Sequence, residues 1–298
     1  MADTAQLSSV LGNEVIARIE RLRLAGSNRF TDRTRGDRIT GRGGSSIEFA
    51  DYRDYQHGDD IRGVDWNIFA RLGKPYLKLY RQEQERHVTI LIDTSASMGF
   101  GTKLHRARQF AAACAIMGLI GGERVSIYLA GHEPRQVQRL GPVRGRPSLR
   151  RVLAFLEDVS SGGAVAIDQA VDAMLARHHG RGLCVVLSDF LTEHDPKRLS
   201  GALFAAGLET WAVQILDPIE LDPSIEGDQR LVDSETGAHL DVSGAGGLLG
   251  LYQEHLASIS DELATACKGR GGRAMQLSAG EDFTTQLFDR WRRAGWVR

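Results

Sequence analysis

The chain has 298 residues, a formal net charge of −1, and 42% hydrophobic and 25% charged residues. That size fits one large α/β domain with an extension, or two modest domains, in an ordinary soluble globular protein. The near-neutral charge gives no bulk attraction for nucleic acid or an anionic membrane, so nucleic-acid binding is not expected.

Cys114, Cys184 and Cys267 each fall inside apolar patterns without metal-type spacing and read as buried thiols of a reducing compartment. The first residues lack a basic-then-apolar leader, and the longest apolar run, Phe110 to Gly122, is too short to span a bilayer. The expectation is a cytoplasmic protein.

Asn13 to Leu24 reads as an amphipathic helix, with Val15, Ile16, Ile19 and Leu22 on one side and Arg18, Arg21 and Arg23 on the other. A Gly-, Ser- and Arg-rich stretch follows, with Arg29, Arg33, Arg35, Arg38 and Arg42 outnumbering Asp32 and Asp37. Two readings stand for it: a flexible phosphate- or nucleic-acid-contacting arm, or a solvated loop whose arginines pair with acids elsewhere. Arg35-Gly36-Asp37 spells an adhesion tripeptide that a cytoplasmic chain would carry by coincidence.

Ser45 to Arg86 is dense in charged and aromatic residues, with turn signals at His57-Gly58-Asp59 and Gly73-Lys74-Pro75 and a strand at Tyr76 to Tyr80. Arg62, Asp65 and Arg71 form buried ion pairs with Trp66 packed between them, or else the same residues form a docking face for a partner. Asp59-Asp60 caps a turn rather than forming part of a nucleophile–base pair. The organisation read from the sequence is therefore an extension over 1–86, packed on a main domain over 87–298 that carries a hairpin near 229–243.

Val88 to Ile92 is an apolar β-type run that reads as a strand buried on both faces. It stops on Asp93 and delivers Asp93, Ser95 and Ser97 at alternate positions of a polar loop, and a helical pattern starts at Lys103. Such a strand, loop and helix put those oxygens at the carboxyl end of an open parallel sheet, where ligands bind. One carboxylate and two hydroxyls, without His or Cys, suit a hard cation such as Mg²⁺, Mn²⁺ or Ca²⁺. The plain alternative is a βα loop whose Ser and Asp cap the helix.

Downstream, Arg124 to Ala130 is a strand with Gln136 to Leu140 as its hairpin neighbour, and Pro147 to Glu157 is a helix. Ser160 to Ile167 leads into a helix over Asp168 to His178. Gly182 to Asp189 is a second buried strand ending in an acid, Pro196 to Ala206 is helical, and Thr210 to Leu216 is a third buried strand ending at Asp217-Pro218. Leu231 to Asp233 and His239 to Val242 read as a hairpin. Leu248 to Lys268 is a long helix, Arg273 to Leu277 a strand, and Asp282 to Trp291 a final helix. The basic, aromatic tail through Trp296 either docks on the domain through its tryptophans or offers a stacking surface to nucleic acid.

Asp93-x-Ser95-x-Ser97 resembles the metal-ion-dependent adhesion site of von Willebrand factor A domains. In that family serines ligate the ion, aspartates bind it directly or through water, and one position stays open for a partner's acidic residue. By the same resemblance Asp189 is a further carboxylate of the site. Where that family carries a Gly-x-Thr-Asp pattern, Val165 and Ala166 stand here, so the threonine oxygen is missing; Ser160 and Ser161 are the nearby substitutes.

Glu48-Phe49, Arg53-Asp54-Tyr55, Gly58-Asp59-Asp60, Arg62, Asp65-Trp66 and Ala70-Arg71, followed by the Asp-x-Ser-x-Ser-Met loop, resemble the bacterial family called domain of unknown function 58. Asp217-Pro218-x-Glu220 resembles an element of the same family. The resemblance implies a doubly wound, mostly parallel α/β domain of von Willebrand factor A type behind a charged, aromatic extension. It also implies a non-enzymatic adaptor or chaperone-like role with a MoxR-type AAA+ ATPase. No phosphate-binding Walker loop is present in the chain itself. Asp93 as a Mg²⁺-assisted phosphoryl acceptor is the enzymatic alternative, weakened because Ser95 stands where haloacid dehalogenase-type enzymes place a second aspartate.

Overall fold

A computed structural model describes residues 6–26, 47–82, 86–131, 137–163, 165–192, 194–223, 229–232, 239–242 and 246–298. The Arg-rich arm, with its five arginines, lies outside the described residues. The chain forms two compact units, one of residues 1–27 and 86–298, the other of residues 28–85. The N-terminal helix thus belongs to the larger unit, which differs from a boundary drawn at residue 86.

Helix α1 (Asn13–Ile19) buries Ile16 and Ile19. It ends short of Leu24 because the next backbone groups are claimed from far away. Arg23 and Arg298 exchange both backbone hydrogen bonds, and Ala25 N–H donates to the Trp296 carbonyl.

In the smaller unit, strands β1 (Ile47–Asp54) and β2 (Tyr76–Gln82) pair antiparallel around a turn and helix α2 (Trp66–Leu72). Asp65 caps α2 by accepting from the Asn67 and Ile68 N–H groups, and pairs with Lys78 at 3.0 Å. Arg53 clasps Asp59 at 2.6 and 2.8 Å, and Asp60 caps the following turn.

The reading of Arg62, Asp65 and Arg71 as buried ion pairs around Trp66 needs correction. Asp65 alone is buried, and its partner is Lys78; Arg62 and Arg71 are exposed, and Trp66 is 60% exposed beside Phe69. Two strands and two turns of helix enclose too little volume for more: among the described side chains of this unit only Val64, Asp65 and Leu77 are buried.

The larger unit continues through β3 (Arg86–Asp93), α3 (Lys103–Ile120), β4 (Arg124–Ala130), β5 (Gln138–Arg144), α4 (Leu149–Glu157) and α5 (Ile167–Leu175). Then come β6 (Arg181–Ser188), α6 (Pro196–Ala205), β7 (Leu208–Leu216), α7 (Pro218–Leu221), and the hairpin of β8 (Gln229–Val232) and β9 (His239–Val242). Helix α8 (Gly246–Lys268), strand β10 (Arg273–Ser278) and the short α9 (Phe283–Thr285), extended by a π-turn over Gln286–Trp291, complete it.

Six strands form one sheet in the order β10-β7-β6-β3-β4-β5, parallel except for β5 at its edge. Alternate side chains serve opposite faces, as strand geometry requires. Val88, Ile90 and Ile92 of β3 join the core under α1, α3 and α4, while Leu91 joins the core under α5, α6 and α8. Helices on both faces make this a doubly wound α/β domain and explain why its strands are continuous apolar runs.

Charge is sorted along the strands. β3, β4, β6 and β10 begin on Arg86, Arg124, Arg181 and Arg273, and antiparallel β5 ends on Arg144 opposite Arg124. At the other edge β3 ends on Asp93, and Asp189 and Asp217 follow β6 and β7 directly.

The tail docks. Trp291 and Trp296 are buried, and Trp291 stacks on Phe110 with ring centroids 4.7 Å apart. Their faces are spent inside the protein. We expect Trp291→Ala to cost roughly 3–5 kcal/mol in urea denaturation, as for other large buried aromatics. Trp66→Ala, at an exposed position, should change stability by less than about 1 kcal/mol.

Candidate functional site

After β3 the chain turns to β4 and β5 on one side of it; after α5 it crosses to β6 and β7 on the other. The carboxyl ends of β3 and β6 therefore border the crevice at which connections diverge, where open sheets of this kind take ligands. Asp93 and Asp189, expected as site residues, emerge there side by side, 4% and 0% exposed.

Asp93 Oδ1 accepts from the Ser95 N–H at 2.9 Å, and Oδ2 from the Ser188 hydroxyl at 2.6 Å. The Ser95 and Ser97 hydroxyl oxygens lie 3.0 Å apart. All three residues of the Asp-x-Ser-x-Ser loop are thus gathered at one point. Backbone pairing fixes the loop: Ser95 bridges Gly163, Ala96 N–H donates to the Gly163 carbonyl, and the Gly162 and Gly163 N–H groups donate to the Thr94 carbonyl. A Cβ at Gly163 would stand 1.1 Å from the Gly131 carbonyl oxygen, so this crossing admits glycine alone.

Val165 is buried in the core under α5 and offers no oxygen. Of the two possible substitutes, Ser160 is exposed, while the Ser161 hydroxyl lies 2.5 Å from where a Cβ of Gly99 would be, at the end of the Ser97–Gly99 turn. Ser161 is the one next to the loop.

Asp189 is followed by Phe190 at φ 54°, a buried, bulky residue in the left-handed region. Such backbone costs of order 1–3 kcal/mol and persists where a site dictates it. The Phe190 N–H donates to Ser188 Oγ at 3.0 Å, so one hydroxyl ties this turn to Asp93.

Asp189 Oδ1 accepts from the Leu191 N–H, and Oδ2 receives Lys103 Nζ at 2.8 Å. The same ammonium donates to Glu220 Oε1 at 2.6 Å. Glu220 Oε2 in turn accepts from the Asp217 N–H, closing a capping box on α7.

Ser188, Lys103 and Glu220 thus join the four expected residues. A serine closing an apolar strand was a usable signal for Ser188, and the Asp-Pro-x-Glu element for Glu220. Lys103 carried none, since a lysine at a helix start reads as solvent-facing. Arg62, Asp65, Trp66 and Arg71, the candidate partner contacts, belong to the smaller unit.

Burial, and then repulsion from Asp189, raise the Asp93 carboxyl from an ordinary 3.8 to about 6. Lys103 answers differently: burial opposes its charge, but Asp189 and Glu220 outweigh burial and hold the ammonium above its usual value. Asp189 and Glu220 share one ammonium, and among the described residues Asp93 forms no ion pair.

That unbalanced negative charge beside two touching hydroxyls fits a hard divalent cation. Among the described residues no three His, Cys, Asp or Glu side chains gather at metal-binding separation. A cation here would accordingly depend on the serines. Asp93, Ser95 and Ser97 are the residues that would hold it, with Asp189 shared with Lys103.

The raised pKa means that the folded protein keeps the Asp93 proton longer than the unfolded chain does. Metal-free stability therefore falls as pH rises from about 4 to about 6. Asp93→Asn keeps the shape and removes that loss. In chelator at pH 7 it should be more stable than the parent by on the order of 1–3 kcal/mol, with the gap closing below about pH 4 in urea titrations. A variant no more stable at pH 7 would contradict this account.

Comparison with known proteins gives a family and no established activity. The uncharacterized protein Rv1480 of Mycobacterium tuberculosis is 27% identical over 249 residues, covering 82% of this chain and 78% of its own. Among solved structures, the conserved hypothetical protein BatB from Bacteroides thetaiotaomicron aligns with 70% of this chain and 98% of its own, at 15% identity and a TM-score of 0.44. Proximal thread matrix protein 1 from the mussel byssus, solved with a zinc-occupied MIDAS motif, aligns with 44% of this chain and 36% of its own, at 12% identity and a TM-score of 0.33. A family profile matches residues 51–247, and the chain belongs to that family, described as protein of unknown function DUF58.

Proposed function

We propose that this chain is a non-enzymatic protein-interaction module of von Willebrand factor A type. It captures an acidic residue of a partner protein at a divalent-cation site formed by Asp93, Ser95 and Ser97. The observation that carries the reading is Asp93, a carboxylate held out of water at the ligand-binding crevice, without an ion pair among the described residues and against two clustered hydroxyls. Bound there, Mg²⁺ or Mn²⁺ supplies positive charge that an incoming carboxylate can join.

This chain's own part is to hold the serine oxygens in place through the Ser95–Gly163 bridge and to keep Asp93 dry. Ser95 stands where haloacid dehalogenase-type enzymes place a second aspartate as general acid, which disfavours the phosphoryl-acceptor alternative.

A second contact surface on the smaller unit is part of the proposal. Trp66 and Phe69 stand exposed at 60% and 40%, with Arg62 and Arg71 exposed nearby in the sequence. Tryptophan and arginine are the residues that most often anchor interfaces. By family resemblance the partner is a MoxR-type AAA+ ATPase; the three free, buried cysteines support a cytoplasmic setting.

Calorimetric titration of Mg²⁺ and Mn²⁺ into the purified chain tests the first surface. We expect saturable binding in the parent and none in Asp93→Ala; absence of binding in both would end the cation reading. For the second surface, Trp66→Ala should weaken capture of the purified ATPase about tenfold or more by biolayer interferometry while leaving the thermal midpoint unchanged.

A further inference from the structure

Lys103 is fully buried and makes two ion pairs, to Asp189 at 2.8 Å and Glu220 at 2.6 Å. It is also the first residue of α3, whose opening turn contains no acid. A cation at that end opposes the helix dipole, so the helix gains nothing from it. What Lys103 serves is the carboxylate pair.

We propose that Lys103 is a built-in competitor for the cation of this site: its ammonium holds Asp189 in the metal-free protein, and a divalent ion gains that carboxylate only by displacing it. The inference rests on the reading of Asp93, Ser95 and Ser97 as a cation site, and names what regulates its affinity.

The geometry supports an exchange rather than a permanent block. A second positive charge on Asp189 would repel the ammonium, yet Lys103 has Glu220 to retreat to and is never left bare in the interior. Glu220 is itself fixed, accepting from the Asp217 N–H through Oε2 and from the Tyr252 hydroxyl through its backbone carbonyl. Two arrangements are therefore available: Lys103 shared between both acids, or Lys103 on Glu220 alone with Asp189 turned over to the metal. The wild-type site is a weak one by construction, and its occupancy depends on the divalent-ion concentration.

The test compares Mn²⁺ binding to the full-length parent, to Lys103→Met, and to Lys103→Met/Glu220→Gln. The double variant removes the surplus buried charge in case the single variant folds poorly. Binding is read from the electron paramagnetic resonance of free Mn²⁺, and folding from thermal melts in chelator and in Mn²⁺.

We expect the variants to bind Mn²⁺ at least about tenfold more tightly than the parent, the scale on which neighbours of metal ligands act. Their melting midpoints should rise more on Mn²⁺ addition than the parent's, and both gains should vanish when Asp93→Asn is added. Equal or weaker binding by folded variants while the parent binds would overturn the role of Lys103 and leave the cation site standing. Binding by the variants alone would uphold Lys103 and remove the cation from the parent's function. No binding by any of them would overturn both.

Discussion

A carboxylate withdrawn from water must be compensated within hydrogen-bonding reach, and around Asp93 this requirement shapes everything nearby. β3 is covered by helices on both faces, so its last residue keeps only 4% of its surface exposed, at the crevice. Removing an ionised group from water costs several kcal/mol unless partners replace the water. Among the described residues Ser95 and Ser188 supply its hydrogen bonds and no cation pairs with it. Asp189, equally buried at the neighbouring strand end, receives a full ammonium. Two acids of like burial are thus treated unequally, and the one left short of positive charge is the one facing the serine hydroxyls.

The surrounding architecture keeps that inequality in place. The serine loop is stitched by backbone hydrogen bonds to the Gly162-Gly163 segment at a crossing too tight for any side chain. Phe190 holds left-handed backbone so that Asp189, Ser188 and the strand end share one turn. A site carried on strand ends and braced this way is positioned far more narrowly than one on free loops. Glu220 extends the bracing to α7 and, through Tyr252, to α8, so elements distant in sequence meet at the same ammonium.

Much of this was legible in the sequence because burial on both faces leaves an unambiguous trace. The runs ending at Asp93, Asp189 and Asp217 are continuous apolar stretches, and their terminal acids follow from where the apolar residues stop. Helix α4 was equally clear, since Leu149, Val152, Leu153 and Leu156 repeat at helical spacing and all four are buried.

What escaped depends on residues far apart in the chain. α1 stops early because Arg23 pairs with Arg298. The Lys103 interaction spans 86 residues to Asp189 and 117 to Glu220. The aromatic and charged composition around Trp66 suggested enclosure, but composition does not reveal how little volume a small unit can enclose. At the site, the loss of a threonine oxygen at Val165 was readable, whereas the approach of Ser161 to Gly99 required coordinates.

The sorting of arginines to one edge of the sheet and aspartates to the other has a consequence that the net charge of −1 conceals. Opposite charges separated along the strand direction contribute a dipole component along the axis on which the candidate site lies, reduced by Glu123 and Glu209, which pair with Arg86 and Arg273, and by Lys103, which pairs with Asp189. A charged partner approaching within a Debye length experiences a torque before it makes contact. Encounters are then biased toward one end of the molecule, and their rate falls as ionic strength rises even though the isoelectric point is near neutral. Orientation, rather than bulk attraction, is what this distribution of charge provides.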